Sequence, residues 1–228
     1  MKTVLVVSAW EPEIAPLRRR LRRGRAGDVR VVCRPVGVGA VDAAAGAARA
    51  LAEMGLAGMG PTQLIFIGTA GRYPGIGAAA VRALPIGAVA VPGEMLLVST
   101  AEVRGDGYLP APLVQRAVAT EALVAALRAA GATRQTLGTQ TWQGVAATPL
   151  AITRTTALAR RLASATGAAV ENLEVFAVSR AAAMAGVPMA AALAIANTVG
   201  PTAHAEWRAN HEAASRAACE VVWRWLRG

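Results

Sequence analysis

The chain has 228 residues, 54% of them hydrophobic, which excludes disorder and allows one substantial core, so a single domain over residues 1–228 is expected. The formal net charge is +10, nearly all from arginine, since Lys2 is the only lysine. The densest run, Arg18-Arg19-Arg20-Leu21-Arg22-Arg23-Gly24-Arg25, has no interleaved aromatic residues; it reads as a solvated helix end rather than a nucleic-acid surface.

In chain order, Thr3–Val7 is β-branched and apolar and predicts a first parallel strand. Pro12 opens a helix behind Glu11, and Pro16 makes that helix start late or kink. Val29–Cys33 reads as a second strand, and Gly37-Val38-Gly39 leads into an alanine-rich helix over Val41–Met54. Gln63–Ile67 is a third strand, ending at a small-residue turn, Gly68-Thr69-Ala70-Gly71. Ala88–Val91 and Met95–Ser99 read as strands, and Glu121–Ala130 and Thr155–Ala165 as helices. Leu173–Ala185 reads as a helix, Met189–Ile195 as a strand and Glu206–Leu226 as a terminal amphipathic helix.

This alternation implies an α/β fold with a mixed, mostly parallel central sheet flanked by helices, a three-layer sandwich. Ligands of such sheets bind beyond the carboxyl ends of the strands. Ser8 to Glu13, Gly68 to Gly71 and Asn197 to Gly200 are expected there.

Cys33 and Cys219 lack metal-ligand spacing and read as buried thiols of a reducing compartment. The apolar start is too short for a secretion signal, and Pro188 splits the apolar run from Ala181 to Ala196, so a soluble cytoplasmic protein without a membrane partner is expected. His211-Glu212 begins like a zinc-protease motif, but Ser215 stands at the second histidine position, and no metal site follows. Gly37-Val38-Gly39-Ala40-Val41-Asp42 holds two of the three glycines of a dinucleotide fingerprint and reads as a glycine turn before a helix.

Two side chains carry the chemistry. Glu174, in Val170-Glu171-Asn172-Leu173-Glu174, offers an acceptor-only carboxylate suited to vicinal sugar hydroxyls. Asn197, in Ile195-Ala196-Asn197-Thr198-Val199-Gly200, offers an amide that donates and accepts, suited to a purine edge. Glu13, after the first strand, is a third candidate; alone, it would pass for an exposed first-turn carboxylate.

At these residues the chain resembles the purine nucleoside phosphorylase and nucleosidase superfamily. Val6-Val7-Ser8-Ala9-Trp10-Glu11-Pro12-Glu13 is similar to its first strand and glutamate, and Ile67-Gly68-Thr69-Ala70-Gly71 to its Gly-Ser/Thr-Ala-Gly loop. Leu173-Glu174 resembles its Met-Glu pair, and Ile195-Ala196-Asn197 its Ile-Ser-Asp/Asn segment. Asn197-Thr198-Val199-Gly200 with Trp207, and Val98–Leu109 with Gly105-Asp106-Gly107-Tyr108, resemble the futalosine hydrolase branch.

The resemblance implies an N-ribosyl hydrolase acting on a 6-oxopurine nucleoside, with no cofactor and a homo-oligomeric state. It implies Glu13, Glu174 and Asn197 as catalytic residues, and Ala9, Gly39, Thr69, Ala70, Gly71, Leu173 and Trp207 around the substrate. The alternatives are a purine nucleoside phosphorylase, a methylthioadenosine/S-adenosylhomocysteine-type nucleosidase, or a non-catalytic nucleoside binder. The last is suggested by Val175, Leu193 and Ala196, which stand where relatives carry a small residue, arginine and serine. A phosphorylase would need arginines at the phosphate, and Arg34 and Arg72 are the nearest to the two glycine segments.

Overall fold

The computed structural model describes residues 2–24, 26–75, 84–132 and 141–228. The elements begin with β1 (Lys2–Ser8), α1 (Glu11–Arg23), β2 (Val29–Pro35), α2 (Ala40–Leu56) and β3 (Gln63–Arg72). Then come β4 (Val89–Ala90), β5 (Glu94–Val98), α3 (Thr100–Arg104), β6 (Arg116–Val118), α4 (Glu121–Gly131), β7 (Thr141–Trp142) and β8 (Val145–Pro149). The chain closes with α5 (Thr156–Thr166), β9 (Val170–Glu171), α6 (Val175–Met184), β10 (Met189–Thr198) and α7 (Ala203–Arg227).

The strands form one mixed sheet ordered β6-β5-β8-β9-β3-β10-β4-β7, with β1 joined to β2 and β3. Only the β10–β4, β3–β9 and β5–β6 pairs are antiparallel among the described strands. The central strands are apolar on both faces because both are covered: Leu64, Ile65, Phe66 and Ile67 of β3 are all fully buried. Helix α7 packs on α1 and α4, while α2 packs on α6. These helical layers flank the sheet, giving the expected three-layer α/β sandwich. Close packing of α2 follows from its sequence: Ala43, Ala47, Ala50, Leu51 and Met54 repeat at helical spacing and are its buried face.

Several local expectations are corrected. Helix α1 begins at Glu11 and runs through Pro16. The missing proline N–H forfeits a single intrahelical bond, and the fully buried Ile14 and Leu17 on either side anchor the helix to the core. Gly68-Thr69-Ala70-Gly71 is not a turn but the last part of β3, paired with β10 through Arg72 and with β9 at Gly71 and Arg72. Helix α6 begins at Val175, two residues later than expected, leaving Glu174 as its N-cap. The short elements α3, β6, β7, β8 and β9 carry too little periodicity to be read from sequence. Cys219 is buried, but Cys33 is only half-buried. Arg18 of the basic run pairs with Glu11 and donates to the Cys33 carbonyl, while Arg20 pairs with Glu220. Among the described residues, no helix is long and apolar enough to cross a membrane, and no cluster of three potential metal ligands occurs.

Candidate active site

A cavity of about 400 Å³ opens where β1, β3 and β10 end and α6 and α7 begin. Glu13, Glu174 and Asn197 all line it, although the first and last are 184 residues apart (197 − 13). Ala9, Thr69, Ala70, Gly71, Leu173 and Trp207 line it as well. Gly39 is not among the lining residues; its neighbour Val38 is.

Glu13 sits in the first turn of α1 and is only 5% exposed. Its Oε1 accepts from the Thr69 amide at 2.9 Å and the Thr69 hydroxyl at 3.0 Å. Its Oε2 is buried and, among the described residues, has no hydrogen-bond partner. Burial pushes its carboxyl up to about 7, with the Thr69 bonds pulling it down and the Glu174 charge pushing it further up. From behind, the Cys219 thiol donates to the Glu13 carbonyl at 3.2 Å. Burial holds that thiol up at about 12, so it stays protonated as a donor.

Thr69 is itself held. The Trp207 indole N–H donates to its hydroxyl oxygen at 3.1 Å. Trp207 stacks on His211, ring centroids 4.5 Å apart, and lies 6.0 Å from Trp10. Trp10, Trp207 and His204 form an aromatic wall of the cavity.

Glu174 caps α6 but does not turn its carboxylate onto its own helix. Its Oε1 instead accepts from the Gly39 amide at 2.9 Å. Gly39 reaches that position with φ +84°, a conformation that favours glycine. The glycine turn therefore holds the carboxylate through this amide. Burial raises the Glu174 pKa, and the Gly39 bond opposes the rise.

Asn172 was not singled out in the sequence, yet it organises this junction. Its Oδ1 accepts from the amides of Glu174 (3.0 Å) and Val175 (2.8 Å), and its Nδ2 donates to the Thr69 carbonyl at 2.9 Å. It thus caps α6 and ties it to β3. An Asn just before a helix start was the available signal.

Asn197 owes its direction to a bulge. The β10–β3 register shifts between Ile195 and Asn197, so Ile195 faces Ala70 and Asn197 faces Gly71. One extra residue reverses the alternation, so Asn197 lies on the opposite face from Ile195. The Asn210 side chain holds the bulged Ala196 carbonyl at 3.1 Å. One residue on, Glu206 of α7 accepts from the Thr198 amide at 2.8 Å and from the Thr202 hydroxyl at 2.6 Å.

Of the two nearby arginines, Arg34 is exposed on β2. Arg72 donates to the Leu84 carbonyl at 3.0 Å and the Thr198 hydroxyl at 3.2 Å. Neither lines the cavity. Leu193 and Ala196 are fully buried in the core, so the sheet absorbs these departures by packing. Sequence reasoning also passed over Glu171 and Thr153, two polar residues lining the cavity.

Comparison with solved structures matches this architecture. The 5′-methylthioadenosine/S-adenosylhomocysteine nucleosidase of Neisseria meningitidis, in complex with methylthio-immucillin-A, superposes with a TM-score of 0.82 at 20% identity, covering 100% of this chain and 99% of that one. A futalosine hydrolase mutant of Helicobacter pylori gives 0.81 at 16% identity, covering 99% and 98%. The S-adenosylhomocysteine nucleosidase of Streptococcus pyogenes, with 5-methylthiotubericidin, gives 0.80 at 18% identity, covering 99% and 96%. No curated protein matches the sequence. The phosphorylase superfamily matches residues 7–227, which take in every element from the end of β1 through α7, and the chain belongs to that family.

Proposed function

We propose that the protein is an N-ribosyl hydrolase that cleaves the glycosidic bond of a 6-oxopurine nucleoside. The simplest substrate is futalosine, giving hypoxanthine and dehypoxanthine futalosine in menaquinone biosynthesis. The observation that carries the reading is the free Oε2 of Glu13, a buried carboxylate oxygen in the wall of a cavity shared with Glu174 and Asn197.

The geometry supports the following roles. Glu174, fixed by Gly39, accepts from the ribose 2′- and 3′-hydroxyls. Asn197 donates to the purine edge as the C1′–N bond breaks and its electron pair moves onto the base. Water adds to the oxocarbenium-like C1′, and its proton passes to Oε2 of Glu13, the oxygen not already engaged by Thr69. The departing base takes a proton from solvent and Glu13 returns the water's proton to solvent, so the cycle balances. Donors placed for developing charge of this kind are worth about 3 kcal/mol each. Hydrolysis rather than phosphorolysis is supported by the positions of Arg34 and Arg72, the second committed to a carbonyl and a hydroxyl. We also read the protein as a homo-oligomer, since Val38 and Ile152 expose apolar surface at the cavity and Val41 does so beside it.

Incubation with futalosine, inosine and methylthioadenosine, with and without phosphate, tests the reading by the free base released. Hypoxanthine release without phosphate is expected. Strict phosphate dependence would reassign the activity to phosphorolysis. A second reading, an adenine nucleosidase, is favoured by one property of Asn197: a carboxamide can pair with N6 and N7 of adenine at once. Release of adenine but never hypoxanthine would establish it.

A further inference from the structure

The sheet has a second end, opposite the cavity. Strands β1, β2 and β3 are parallel and start there, with Lys2 beside Val29 and Val4 beside Gln63. Strand β10 starts there too, since the Leu64 amide donates to the Pro188 carbonyl. A helix that crosses over between parallel strands must finish at the end where the next strand begins. Accordingly α1 ends at Arg23 before β2, α2 at Leu56 before β3, and α6 at Met184 before β10. The end of α7 joins them: a Cβ on Gly24 would stand 3.7 Å from Trp223, and Lys2 sits over the Trp225 ring at 5.5 Å. The seven residues of β1 put about 20 Å between this end and the cavity.

Two kinds of side chain gather on this end. Lys2, Arg22, Arg23, Arg30 and Arg227 are all exposed there. Of the acids, Glu53, Glu94 and Glu220 are already paired with Arg49, Arg116 and Arg20, and Asp28 and Glu121 are exposed. Complementing the helix dipoles accounts for Arg22, Arg23 and Arg227. It does not account for Lys2 and Arg30, which lie on strands. Nor does it account for the other half of the face. Helices α2 and α6 have no basic residue in their last turns and end on Leu56 and Met184, 91% and 84% exposed. Trp223 and Trp225 sit half-buried between the core and solvent. Apolar tips, interfacial indoles and exposed cations on one end of a protein suit the headgroup region of an anionic bilayer.

We propose that the ends of α1, α2, α6 and α7 form a face that docks the protein peripherally on an anionic phospholipid surface, with the cavity left open to solvent. This role is independent of the nucleosidase reading. The expectation of no membrane partner came from the lack of a signal or spanning segment. A docking face assembled from four helix ends carries no such mark, because its residues meet only in the fold. Nucleic acid suits the face less well, since bases stack on open aromatic rings. Here Lys2 lies over the Trp225 ring, and Arg227 over the Trp223 ring at 5.8 Å.

Co-sedimentation with vesicles tests this, comparing phosphatidylglycerol mixed into phosphatidylcholine with phosphatidylcholine alone. Wild type should sediment with the first and not the second. Each cation at such a surface contributes about fivefold to binding, so Arg22→Glu combined with Arg23→Glu should weaken it at least about 25-fold. Arg160→Glu combined with Arg161→Glu reverses the same charge on α5, outside this face, and should leave binding within about twofold. Leu56→Ser combined with Met184→Ser should weaken it with no change in charge. Brominated lipid in the anionic vesicles should quench the tryptophan fluorescence of wild type, a measurement that stands even where a variant fails to fold. Equal sedimentation with both vesicles, no quenching, or equal losses from the two arginine pairs overturns the proposal, the last by assigning binding to net charge alone. Binding to a single-stranded oligonucleotide at the same salt, with none to vesicles, also overturns it.

Discussion

Trp207 and Thr69 lie 138 residues apart, and the indole N–H of the first reaches the hydroxyl oxygen of the second at 3.1 Å. With that lone pair occupied, the single hydroxyl proton of Thr69 points to Glu13 Oε1. The pair thus assigns different tasks to the two oxygens of one carboxylate. Oε1 is saturated by two donors from Thr69, and Oε2 is left as the basic atom.

This arrangement predicts coupling. Thr69→Val removes a bond that lowers the Glu13 pKa, so the acid limb of the kcat pH profile should move to higher pH. Trp207→Phe should move it in the same direction by less, since Thr69 can still find the carboxylate. The double variant should behave like Thr69→Val alone, because both act through one hydroxyl. Additive shifts would show that Trp207 acts on Glu13 by a route other than the Thr69 hydroxyl.

Glu13 must be ionised to take a proton, and its pKa is raised to about 7 by burial. The rate should therefore rise with pH to a midpoint near 7 and then level off. Stability should run the other way. A carboxyl raised in the folded state contributes its full stability below the unfolded value of 4.5 and loses it as pH rises through about 7. The loss is about 3 kcal/mol at 1.36 kcal/mol per pH unit. Urea unfolding of wild type and Glu13→Gln between pH 4 and pH 8 checks this: the fall should be smaller in the variant, the remainder coming from Glu174, whose pKa burial also raises, and turnover should be lost.

Glu174→Gln separates position from charge. The amide oxygen can keep the Gly39 bond, so the fold and the glycine turn should survive. The ribose hydroxyls lose their charged acceptor, and kcat/KM should fall about 100-fold or more. The same variant should discriminate far less between a nucleoside and its 2′-deoxy form. Full activity in Glu174→Ala would remove the carboxylate from the mechanism.

Gly71→Ala should be costly at the site. The added Cβ meets Asn197 Nδ2 at 2.8 Å and Val199 Cγ2 at 2.7 Å, both closer than van der Waals contact. Overpacking of this kind destabilises by about 1–3 kcal/mol, and the displaced carboxamide should weaken base binding more than it slows ribose cleavage. Thermal unfolding and base titration of the variant measure the two effects separately.

How much was legible in the sequence varies with the length and pattern of each element. The strand at Thr3–Val7, the helix at Val41–Met54 and the terminal helix show strong periodicity, and each matches an observed element to within a few residues. The segment 68–71 was misread because small residues suit turns. Here Gly71 is needed for another reason, because a Cβ there would meet the side chains of Asn197 and Val199. Strands β8 and β9 are five and two residues long, too short for an alternation signal, yet β9 carries Glu171.

By itself, the sequence determined the layered α/β architecture, since hydrophobic periodicity is a local property of the chain. It also supplied the residue types of the candidate site, because carboxylates and a carboxamide have fixed donor and acceptor chemistry. Tertiary structure alone decided how they are aimed. The bulge at Ala196 turns Asn197 to the cavity face, Gly39 holds the Glu174 carboxylate, and Thr69 leaves one oxygen of Glu13 free. Each of these depends on contacts between residues remote in the chain, and side-chain direction in a sheet reverses with a shift of one residue.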